Sequence, residues 1–176
     1  MIQNTAKHNF DEYGELRGLF EKQLKELLWA EDIMMFMLKD ITAHAYSTDL
    51  QKLLHKLEGT TSGHLRRLEK IFYLIGVPEE AIAYDALQCF IDEVNMVYVD
   101  VKQGVVSDAA LIAALQKIKH YEIACYGTMR AFAIALKEEE VVLLLEQTLS
   151  EEKEADLALS VIAESHINIE AADKEI

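Results

Sequence analysis

The stretch Ser107–Leu136, SDAALIAALQKIKHYEIACYGTMRAFAIAL, decides the fold. Its apolar residues Leu111, Leu115, Ile118, Cys125, Met129, Phe132 and Leu136 recur at helical spacing and mark one face of a long helix. Glu122 occupies the position on that face between Ile118 and Cys125. A carboxylate inside an apolar stripe is costly unless something pairs with it. The other segments have to supply that partner.

Working upstream, a helix is expected from near Gly14 to Ala45, with Phe20, Leu24, Leu27, Met34, Leu38 and Ile41 on one face and Glu31 in the gap. Ser47 or Thr48 is placed to cap the next helix, Asp49 to Ile75. Its inward series runs Leu50, Leu54, Leu57, Thr61, His64, Leu68, Ile71 and Ile75. Gly59 and Gly63 fall in the same turns, where glycine costs roughly 1 kcal/mol each against alanine; they mark a close approach or an irregular turn. Gly76 and Pro78 end this helix. A third, less regular segment spans about Glu79 to Lys102, after which Ser107 and Asp108 cap the helix quoted above. The last helix runs from about Glu139 to Ile167, with Leu145, Leu149, Leu159 and Ala163 apolar and Glu152 and Asp156 between them. Residues 1–12 read as a loose arm, 13–167 as one helical domain, and 168–176 as a frayed acidic tail.

The 176 residues are half apolar with a single proline, which suits one helical domain and excludes a turn-rich β fold. A formal net charge of −14 repels nucleic acid and anionic lipid, so neither is expected as a partner. No apolar run reaches membrane-spanning length, and the N-terminus lacks the apolar stretch of a signal peptide. Cys89 and Cys125 read as small buried hydrophobes of a reducing, cytoplasmic environment.

Four long helices therefore carry polar groups at mid-length: Glu31, His64 with Thr60 or Thr61, Glu122, and Glu152 with Asp156. In a four-helix bundle of two hairpins and one crossover helix, such positions meet at one level of the core. Carboxylate-bridged di-iron and di-manganese sites are built in that way. The set Glu31, His64, Glu122, Glu152 and Asp156 is the candidate ligand set, and iron or manganese the candidate ion. The competing reading satisfies each acid with an ordinary neighbour. Lys119, Arg130 and Lys153 lie off the stripes, whereas Tyr121 and Tyr126 flank Glu122 closely enough to donate a hydroxyl. His44, His55, His120 and His166 read as surface residues.

DAALIAALQKIKHYEIACYGT, 108–128, closely resembles the signature of the YciE/YciF-like family of ferritin-like proteins. TLSEEKEAD at 148–156, LWAEDIMM around Glu31 and HLRRLEKIFYLIG at 64–76 extend the likeness over nearly the whole chain beyond its N-terminal arm. The resemblance implies a ferritin-like bundle, bacterial, dimeric and associated with stress responses, with a di-metal site. Carried over by position, Glu31, Glu122, Glu152 and Asp156 match the presumed ligands, and His64 fits a variant with histidine there. The chain departs from the pattern on the second helix, where the family's Leu-Glu-Glu-Thr is Glu58-Gly59-Thr60-Thr61, and at Lys119, which replaces a glutamate. Glu58 reaches the site only through a one-residue bulge. A missing carboxylate and an added cation both weaken metal binding. Two functions are expected from this pattern: an incomplete metal site holding iron or manganese, or a metal-free bundle acting as a structural or interaction module. A cage-forming iron store fits less well.

Overall fold

The structure, a computed structural model, describes residues 15–173; the expected N-terminal arm lies outside them. The described residues form helices joined by short connections, with no strand: α1 Leu16–His44, α2 Thr48–Ile75, α3 Asp85–Asp100, α4 Val105–Ala135, α5 Glu139–Ile162, a π-helical turn Ala163–Ile167, and α6 Asn168–Asp173. None of these helices is long and apolar enough to cross a membrane.

α1 packs on α2 and α4, α5 packs on the same two, and α3 lies against α4. Two apolar clusters fill the interior. One joins Met34, Leu38 and Ile41 of α1 to Leu50, Leu54 and Leu57 of α2, Leu111, Leu115 and Ile118 of α4, and Ala155 and Leu159 of α5. The other joins Phe20, Leu24 and Leu27 to Leu68, Ile71 and Phe72, Tyr126, Met129 and Ala133, and Leu145 and Leu149. On each of the four long helices the polar position falls at the seam: Glu31, His64, Glu122 and Glu152 all sit where one cluster gives way to the other.

Helix ends follow local chemistry with several departures from expectation. Gly76 takes the left-handed conformation (φ 71°) that glycine adopts without strain, and ends α2. The α2 glycines do not disturb it; residues 59–63 are regular helix. The third segment starts only at Asp85, because the chain from Glu79 is held without helix against α1, with the Ile82 N–H donating to the Lys25 carbonyl (3.1 Å) and Lys25 pairing with Glu80 (2.6 Å). Ser47 stands at the α2 N-cap but its hydroxyl caps nothing. Ser107 closes a local box with the Gly104 backbone at the start of α4. Asp108, instead of capping its own helix, accepts the backbone N–H groups of Tyr46 (2.9 Å) and Ser47 (2.6 Å) and ties the α1–α2 turn to α4. Where a frayed tail is expected, the chain is helical to Asp173, with Ala171 against the core. The cysteines are not both buried: Cys89 is exposed and Cys125 half-buried, and both are free thiols.

Candidate functional site

The polar layer is assembled from four helices. Glu31, His64, Glu122 and Glu152 are each at most 2 % exposed. Nδ1 of His64 lies 3.1 Å from Oε1 of Glu31 and 3.0 Å from Oε1 of Glu152. Its Nε2 faces Oε2 of Glu151 at 3.1 Å. Tyr126 donates its hydroxyl to Oε1 of Glu31 at 2.6 Å. The expectation that a tyrosine beside Glu122 would serve a buried acid thus holds for Tyr126, although the acid it serves is Glu31.

Lys119 is a correction. It was expected off the stripe, yet it is buried, with Nζ 2.6 Å from Oε2 of Glu122 and 2.8 Å from Oε2 of Glu152. Two registers of four-three steps run along α4 and share Leu115, Glu122 and Met129. The apolar one includes Ile118, Cys125 and Phe132; the other includes Lys119, Tyr126 and Ala133. Cys125 and Phe132 are only half-buried, while Lys119, Tyr126 and Ala133 are fully inside. The polar members of that register are buried because acids from α1 and α5 meet them there.

Asp156 is a second correction. It lies outside the cluster, partly exposed, 3.4 Å from Nε2 of Gln116 and 3.6 Å from Nε2 of the exposed His120. The inward line of α5 runs Leu145, Thr148, Glu152, Ala155 and Leu159, and at 100° per residue Asp156 is rotated to its edge. Glu58 also turns away, toward His55 at 3.7 Å, so no bulge brings it inward. Glu151 and Arg67, which apolar spacing does not single out, join the site from its rim. Arg67 pairs with Glu151 and donates from Nε to Thr148 (2.8 Å), so this outer group orients the acid that holds His64 Nε2. The i, i+1 adjacency of Glu151 to Glu152 was the one available signal.

Charges within this layer fix its protonation. Burial disfavours the His64 imidazolium, but Glu31 and Glu152 outweigh that and raise its pKa to about 10. Burial also opposes the Lys119 ammonium, and Glu122, Glu152 and Glu31 more than compensate, raising it. Burial works against the Glu152 carboxylate too, yet Lys119 and His64 lower it to about 2. Glu122 moves the other way: burial, reinforced by Glu152, lifts it well above the ordinary carboxylate range, with Lys119 opposing the rise.

A divalent ion can be tested against these residues. Glu31, His64 and Glu152 each offer one ligand atom, all within 4.8 Å of one another. Among the described residues, Oε2 of Glu31 and Oε1 of Glu122 accept no hydrogen bond. Two carboxylates and an imidazole, with buried oxygens to spare, suit iron or manganese. Glu151 on the far nitrogen supplies the outer carboxylate that commonly orients a ligating histidine. The residues fit one ion. They do not fit the expected pair, because the second carboxylate group, Glu122 with Glu152, already holds an ammonium.

Comparison with known proteins agrees with this architecture. Residues 15–172 match a family model described as a domain of unknown function, DUF892. Protein YciF of Escherichia coli K12 is 30 % identical over 164 residues, covering 90 % of this chain and 96 % of YciF. The crystal structure of the E. coli stress protein YciF superposes with a TM-score of 0.84 at 29 % identity, covering 88 % of this chain and 98 % of that one. YcfI from Rhodopseudomonas palustris gives 0.82 at 28 % identity over 86 % and 98 % of the two chains. With the helical order, the buried layer and these matches over most of its length, the chain belongs to the DUF892 family, the family of YciF-like proteins.

Proposed function

We propose that the chain is a ferritin-like four-helix bundle, with α3 as the crossover helix, that holds a single iron or manganese ion on Glu31, His64 and Glu152 and acts in a stress response. The observation that carries this is the convergence of three buried ligand atoms from three helices within 4.8 Å. The stress role rests on the likeness to the E. coli stress protein YciF. To hold an ion, His64 would give up the proton on Nδ1, the nitrogen facing Glu31 and Glu152, with its Nε2–H donating to Glu151. An iron ion held there supplies one-electron redox chemistry. The protein's own residues exclude water from it, through the apolar clusters above and below.

A second reading, a metal-free structural or interaction module, is favoured by one observation: Lys119 and His64 already offset the buried acids. Elemental analysis of protein purified from iron- and manganese-supplemented medium separates the two. Bound metal that is lost in Glu31→Ala and Glu152→Ala supports the first reading; no metal above background supports the second. The proposal includes a homodimer in a cytoplasmic setting, for which the exposed Leu157 and Val161, one turn apart on α5, provide apolar surface. Light scattering that reports a monomer at micromolar concentration would overturn that part.

A further inference from the structure

Glu152 divides its two oxygens between two positive centres. Oε1 faces Nδ1 of His64 at 3.0 Å, on the side where Glu31 also points. Oε2 faces Nζ of Lys119 at 2.8 Å, and the same ammonium lies 2.6 Å from Oε2 of Glu122. A carboxylate that gives one oxygen to each of two cations is the arrangement of a bridging ligand. Both cations here are side chains, but an imidazole can shed its proton and ligate an ion, and a charged lysine cannot. Lys119 carries three donors and no acceptor, so while charged it cannot ligate an ion and repels one instead. Its tether keeps it at the site, and a buried ammonium pushed off both acids would be left unpaired.

We propose that Lys119 is a tethered cation standing at the second cation position of the polar layer. The native chain therefore takes one divalent ion, and a chain without Lys119 takes two, the added ion resting on Glu122 and Glu152. This builds on the reading of Glu31, His64 and Glu152 as a one-ion site. It goes further by giving Glu122 and Lys119 a role: together they set the stoichiometry. Glu122 is a ligand in reserve, with Oε1 free of hydrogen bonds among the described residues.

The test is Mn²⁺ binding to chelator-stripped, full-length protein by equilibrium dialysis with elemental analysis, with thermal stability followed in parallel. Expected are one ion per chain for the native protein and for Lys119→Arg, two for Lys119→Ala, and a return to one in Lys119→Ala with Glu122→Ala. Added Mn²⁺ should raise the melting temperature of Lys119→Ala more than that of the native chain. Should the alanine variant fail to fold, Lys119→Met keeps most of the buried stem and carries the same comparison. Two ions on the native chain, or a folded Lys119→Ala or Lys119→Met chain that binds no more than the native chain, would overturn the proposal. Zero ions on the native chain and one on Lys119→Ala would overturn the one-ion triad while supporting the tethered cation. Zero on both would overturn both.

Discussion

The hydroxyl of Tyr126, on α4, donates to Oε1 of Glu31, on α1, across 2.6 Å at the seam between the two apolar clusters. The same oxygen faces Nδ1 of His64 on α2. One carboxylate oxygen thus joins three helices. Tyr126→Phe keeps the packing and deletes the donor. It should cost about 1.5–3 kcal/mol, as for a hydrogen bond to a charged group. Urea unfolding measures this, and an unchanged midpoint would mean that the contact contributes nothing to folding.

In metal-free protein, kept so with a chelator, stability should fall toward both ends of the pH range. The raised pKa of His64 (about 10, against 6.5 when unfolded) gives stability that is complete below 6.5 and lost as pH rises toward 10. The lowered pKa of Glu152 (about 2, against 4.5) gives stability that is present above 4.5 and lost as pH falls toward 2. Guanidinium unfolding across this range should show both limbs. His64→Gln should flatten the alkaline one; an unaltered alkaline limb in that variant would reject the assignment.

Glu152 and Asp156 are one turn apart yet should differ sharply. Glu152→Ala leaves Lys119 and His64 buried with fewer counter-charges and should cost about 3–5 kcal/mol. Asp156→Ala touches only partly exposed neighbours and should stay within about 0.5 kcal/mol. Equal losses in the two variants, measured by chemical denaturation, would contradict the described site.

Asp108 is buried and receives two backbone N–H groups from the α1–α2 turn. Asp108→Ala strands both donors and should cost about 2–3 kcal/mol, lowering Tm by roughly 4–12 °C. Asp108→Asn retains one side-chain oxygen and should lose less. Differential scanning calorimetry of the two variants checks the order.

Gly59 lies in regular helix, and a Cβ added there meets nothing within 4 Å. Gly59→Ala should therefore raise stability by about 1 kcal/mol. A loss in urea unfolding would show that the position needs glycine for a close approach that the single chain does not display.

Much of this molecule is written locally. The apolar spacing, the run of Gly76 and Pro78, and the near absence of other breakers specify long helices and most of their ends, because helix formation depends on neighbours three and four residues away. The same spacing exposes Glu31, His64, Glu122 and Glu152 as polar intrusions on apolar faces. Their meeting at one depth follows from helices of similar length laid side by side.

What the sequence alone left open is which of two adjacent registers turns inward, and there the tertiary structure decided. On α4 local apolarity favoured Cys125 and Phe132, which are only half-buried, whereas Lys119 and Tyr126 are fully buried because Glu152 from α5 and Glu31 from α1 reach them. On α5 a small rotation brings Glu152 in and leaves Asp156 at the edge. A buried charge is tolerable only where an opposite charge from a distant part of the chain arrives beside it. That arrival is a property of the packed helices, so spacing along one helix revealed the acids, the family likeness pointed to Lys119, and only the packing showed its ammonium set between Glu122 and Glu152.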